Sequence, residues 1–68
     1  MNDLQPHQER VVNEQRHLSK NVQALTAFVA GEVFKGLPRA EQGRLQRQLC
    51  AMEVYDGVLL ERIEAFAP

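Results

Sequence analysis

The chain has one cysteine, no apolar run approaching the ~20 residues that span a bilayer, and no large surplus of either charge sign. Each shortage excludes something. Cys50 can close no disulfide within the chain and reads most simply as a small buried apolar group. Without a spanning segment a soluble protein is expected. The polar amino terminus MNDLQPHQER lacks the basic and apolar regions of a secretory signal, so the chain is expected to stay where it is made. Net charge is −1 with the signs interspersed, which argues against a broad surface for duplex DNA or anionic lipid. Any bound anion should be small and held by a few well-placed groups.

Sites of chemistry are equally scarce. His7 and His17 are not spaced to put two ligands on one helical face, and Cys50 has no partner near it in sequence, so no metal is expected. There is no glycine-rich phosphate loop, no nucleophile elbow and no carboxylate pair in an acid–base setting; Glu14, Glu41 and the carboxylates of ERIE read as a solvated face. Neither a cofactor nor catalysis is expected.

What is present is helical periodicity. The 68 residues set a ceiling of one domain, residues 1–68, and a chain this short hides only ~60% of its unfolded surface. Val11, Leu18, Val22, Leu25 and Val29 follow a four-then-three spacing with Gln15 in the vacant position, which predicts a helix over about 6–30. Pro6 suits its first turn and Glu9 its positive end. Gly31, Gly36 and Pro38 then break the pattern, giving a connection over 31–37 whose Val33, Phe34 and Leu37 are expected to plug the end of a hairpin. A second helix over about 38–66 continues the spacing through Leu45, Leu49, Met52, Leu59, Ile63 and Phe66, with Tyr55 and Asp56 straddling the missing step. Nothing resembles a strand. The fold class is therefore all-α, an antiparallel two-helix hairpin.

A second apolar set, Ala51, Val54, Val58 and Ala65, lies on another face of the second helix, and Leu60 is apolar as well. A lone hairpin leaves it wet, so self-association into a helical homo-oligomer is the economical way to cover it. Gly57 either permits close approach of a backbone or ligand, or is a tolerated glycine without a role. Arg10, Arg16, Lys20, Arg47, Tyr55 and Arg62 gather near helix ends and seams; an arginine fork matches a phosphate and a tyrosine can stack on a base. Each is as well suited to solubility or ion pairing, but repetition about a symmetry axis would turn one arginine into an anion site.

The run HQERVVNEQRHL, followed by ALTAFVAGEVFKGLPRAEQGRLQRQLCAMEVYDGVLLERIEAF, resembles the phage hairpin-domain family of anti-CBASS and anti-Thoeris sponge proteins. Arg10-Val11-Val12, Glu14, Leu18, Leu25, Phe28, Phe34, Leu37, Arg44-Leu45, Gln48-Leu49, Met52, Tyr55, Leu59 and Arg62-Ile63 carry the likeness across nearly the whole chain. The resemblance implies a homohexamer, commonly a trimer of dimers, that sequesters cyclic dinucleotides, cyclic trinucleotides or cyclic ADP-ribose isomers without cleaving them, in the cytoplasm of an infected bacterium. It implies dinucleotide pockets between neighbouring protomers and trinucleotide pockets on the three-fold axes, with no DNA and no membrane partner.

Carried over residue by residue, the resemblance makes Arg62 the arginine set around the three-fold axis, with Leu60 where a hydroxyl residue can stand in relatives. His7 replaces a base-stacking tyrosine, Gln8 can hydrogen-bond a ligand, and Asn21 stands where a lysine is expected, beside Lys20. Arg10 either meets a phosphate or pairs with Glu14, and Tyr55 either lines a pocket or sits in the core with its hydroxyl at the rim. Two other functions fit a helical hairpin. One is a dimeric four-helix bundle that binds structured RNA, which needs a basic stripe this sequence lacks; the other is a protein-interaction module offering Val54 and Val58 to a host helix.

Overall fold

A computed structural model describes residues 4–66; residues 1–3 and 67–68, which fall within the expected domain, lie outside the described residues. Helix α1 spans Pro6–Val29. Gln5 takes the extended N-cap conformation and its backbone N–H donates to Gln8 Oε1 at 2.8 Å, satisfying a donor the helix leaves open. Pro6 follows at the first helical position, where its missing N–H costs nothing. The helix closes by tightening: the Ala30 N–H donates to Ala27 O and that of Gly31 to Phe28 O, at 3.3 and 3.0 Å.

The connection contains a helical turn that spacing did not predict, α2, Glu32–Lys35. One side chain orders it. The two N–H groups on Gln42 Nε2 are shared among the carbonyls of Phe34, Lys35 and Leu37 at 3.1, 3.2 and 3.0 Å; Phe34 O also accepts the Leu37 N–H, and the amide serves the other two, which the short helix end leaves open. Phe34 is buried, with its ring edge-to-face on Phe28 at 6.3 Å between centroids, and Leu37 is half-buried. Val33, expected to join the plug, is 68% exposed, because a single turn turns Phe34 inward and leaves its neighbour outside. Neither Gly31 nor Gly36 has positive φ, so the bend uses ordinary backbone conformations.

Helix α3 spans Arg39–Glu64 and packs antiparallel on α1, with Pro38 as its N-cap rather than its first residue. Val11, Leu18 and Leu59 are buried, and Val22, Met52, Ile63 and Phe66 pack around them. The apolar positions follow a seven-residue repeat in both helices, and each helix has one polar interruption. The interruptions meet: Gln15 Nε2 donates to Asp56 Oδ1 at 3.1 Å, part-buried in the seam. This bond marks the register, with α1 residues before Gln15 lying beside α3 residues after Asp56.

The result is a rod of 48 × 16 × 15 Å. Its accessible surface is 5278 Å², where a compact 7.7 kDa chain would expose roughly 4,300 Å². The excess lies partly on the back of α3, where Val54 and Val58 are 65% and 46% exposed and Ala51 and Ala65 are exposed as well, and partly on its flank, where Leu60 is 49% exposed. Cys50 departs from expectation: it is exposed, because it stands four residues before Val54, on the face of α3 turned away from α1. Among the described residues there is no strand, and no helix is long and apolar enough to cross a membrane.

Candidate functional site

Arg62 lies in the last turn of α3, where its charge complements the negative end of the helix. Four and eight residues before it stand Val58 and Val54, so its guanidinium rises from the ridge that carries the second apolar set. Arg47 closes the other end of that ridge, four residues before Ala51. Among the described residues the ion pairs are Lys35–Glu32 and Arg44–Glu41; Arg62 and Arg47 are exposed and belong to neither. An apolar strip ended by unpaired guanidinium groups suits a partner or ligand that brings both apolar area and negative charge.

On α1, His7 is exposed in the first turn and Arg10 is exposed one turn later. The Arg10–Glu14 pair is not formed among the described residues, which leaves the Arg10 fork open. Gln8 is half-buried and its Oε1 already accepts the Gln5 N–H, so its amide N–H groups and one Oε1 lone pair remain for a ligand. His17 Nδ1 lies 2.8 Å from the Asn13 carbonyl; that oxygen only accepts, so Nδ1 carries the proton. Lys20 and Asn21 are exposed near the middle of the helix. Tyr55 is 43% exposed rather than packed in the core, because its neighbour Asp56 takes the seam position.

The Gln15–Asp56 register divides the expected site residues into two groups. His7, Gln8, Arg10 and Arg62 share the open end of the hairpin, where α1 starts and α3 finishes. Lys20 and Asn21 stand roughly 17 Å from Arg62 along the axis, and Tyr55 about 10 Å from it. One chain does not bring the two groups together. A feature that spacing missed is a recess of about 180 Å³ lined by Leu4, Glu9, Val12, Asn13 and Arg16; ligand pockets of drug-sized molecules begin near ~300 Å³, so it is too small to enclose a dinucleotide by itself. Val12, apolar but off the seam spacing, was its sequence signal. Among the described residues no group of three His, Cys, Asp or Glu side chains is placed to hold a metal ion.

Comparison with curated proteins and with solved structures gives no match to either. A family model does match, over residues 5–65, which takes in α1, the connection and the whole of α3. That span is nearly the entire chain, and by it the protein belongs to the Sequestin family.

Proposed function

We propose that this protein is a sponge: it binds cyclic oligonucleotide immune messengers and holds them without chemistry, in a homohexamer built through the back face of α3. The messengers are the cyclic di- and trinucleotides of CBASS and, by extension, cyclic ADP-ribose isomers of Thoeris, and the setting is the cytoplasm of a bacterium infected by a phage. The family name points to sequestration, and the resemblance of the sequence to anti-defence sponges supplies the ligand class.

The observation that carries the reading is the exposed strip Ala51, Val54, Val58 and Ala65 with unpaired Arg62 among them. A strip of this kind is costly to leave in water, and closing it against copies would repeat Arg62 around an axis, where guanidinium forks meet phosphates. The separation of Lys20 and Asn21 from Arg62 along one chain fits two kinds of pocket, each completed by a neighbour. Sequestration works by mass action, so sites must outnumber the messenger and bind it more tightly than its effector does; burial between subunits slows release.

Native mass spectrometry against cyclic dinucleotides, cyclic trinucleotides and cyclic ADP-ribose isomers tests the reading. A hexamer retaining an intact cyclic nucleotide is expected, with two trinucleotides per hexamer if the three-fold pockets operate. A monomer or dimer that retains none of the panel would overturn it and favour a host-protein partner for Val54 and Val58.

A further inference from the structure

The seam between α1 and α3 repeats every seven residues: Val11, Leu18 and Leu25 with Val22 and Val29 on one side, Leu45, Met52, Leu59 and Phe66 with Leu49 and Ile63 on the other. A seam with so strict a repeat looks nearly the same after sliding by one repeat, about 10 Å. The connection does not by itself prevent the slide, because a hairpin slides when its turn migrates by half the displacement. Such a migration would carry the bend from the neighbourhood of Lys35 and Gly36 to that of Gly31 and Glu32, or to that of Pro38 and Arg39, and each place holds a residue that already interrupts helix.

What distinguishes the registers is the polar step. In the observed register Gln15 donates to Asp56 at 3.1 Å, and no buried side-chain polar atom among the described residues lacks a partner. Slid one way, Asp56 would face Val22 and Gln15 would face Ile63; slid the other way, Gln15 would face Leu49 while Asp56 would face Gln8. Each slide separates the pair and sets an amide, a carboxylate or both against aliphatic side chains, a larger penalty than the apolar positions alone can impose.

We infer that Gln15 and Asp56 are positioning residues: they act through the register, and thereby fix the height at which Arg62 stands beside His7 and Arg10 at the open end. An apolar pair in their place would hold the helices together at least as well while specifying their alignment less. The consequence for ligand binding rests on the sponge reading; the alignment itself does not, and it is measured without ligand.

The test is a distance distribution from double electron–electron resonance, with spin labels at Gln23→Cys and Glu61→Cys in a Cys50→Ser background, diluted with unlabelled protein so that only distances within one chain are read. Both positions are exposed and about 20 Å apart along the axis, so a slide either way changes their separation. The parent should give one narrow peak. Gln15→Leu combined with Asp56→Leu should broaden it or add a peak displaced by about 10 Å, with no fall in the thermal midpoint. The exchanged variant, Gln15→Asp with Asp56→Gln, should restore the single peak because it restores the pair. A leucine pair that keeps the parent distribution overturns the inference. An exchanged variant that spreads also overturns it, whether or not the leucine pair folds. A register confirmed in a protein that retains no nucleotide would leave the inference standing and the sponge reading fallen.

Discussion

Helix α3 carries an apolar stripe on each of two faces, and charge enters both. In the seam the charge is Asp56, which accepts from Gln15; on the back face Arg47 and Arg62 stand at the two ends, and neither has an ion-pair partner among the described residues. The pattern is similar and the outcome opposite. A charge satisfied inside one chain specifies how that chain is aligned, whereas a charge left open in an apolar surface specifies what the surface is to meet.

The strongest way to break this comparison is to truncate an apolar residue on each face. Leu59 is 1% exposed in a core with few buried members, and Leu59→Ala should lower stability by about 2–5 kcal/mol in urea unfolding followed by circular dichroism. Val54 is 65% exposed, and Val54→Ala should change the same measurement, made at low protein concentration, by no more than about 0.5 kcal/mol while weakening assembly in analytical ultracentrifugation. Equal losses from the two would mean that the faces are not different in kind.

Arg62→Ala sharpens the charged half of the comparison. It should leave helicity and unfolding nearly unchanged and weaken retention of a cyclic trinucleotide by about 10- to 100-fold per lost phosphate contact, read by calorimetry. A smaller effect is expected at Gly57, where an added Cβ would meet nothing within 4 Å in the single chain. Gly57→Ala should therefore stabilise the hairpin by about 1 kcal/mol; a fall in oligomer size instead would show that a neighbour needs the space. Smallest of all is Arg44→Ala, which removes an i,i+3 pair whose side chains are 59% and 41% exposed and should cost about 0.2–0.5 kcal/mol in the melting curve.

The hairpin was legible because a four-then-three repeat admits few other structures, and Gly31, Gly36 and Pro38 mark where it must stop. Gln15 and Asp56 were visible as vacancies in the repeat, but their meeting depends on the register, which each helix alone leaves undetermined. The Gln42 clamp was not legible at all: its amide finds acceptors that exist only once α2 has formed. Residue type alone suggests the interior for Cys50 and either the core or a pocket wall for Tyr55, and the positions their neighbours occupy put both outside the seam. For the candidate site, the resemblance singled out Arg62 near a helix end, but neither it nor spacing could show that Lys20 and Asn21 stand far from Arg62 along the same chain.

The clamp has a consequence for how the chain meets a protease. An exposed break with two glycines is where nicking would ordinarily begin, since cleavage requires the backbone to be drawn out into an extended form. Drawing out residues 32–37 means detaching Gln42 from three carbonyls, unwinding α2 and lifting Phe34 from Phe28. A connection that opens only at that cost is cut at a rate set by the opening of the packed tip rather than by the mobility of a free loop, so limited digestion there reads the local stability of that end of the rod.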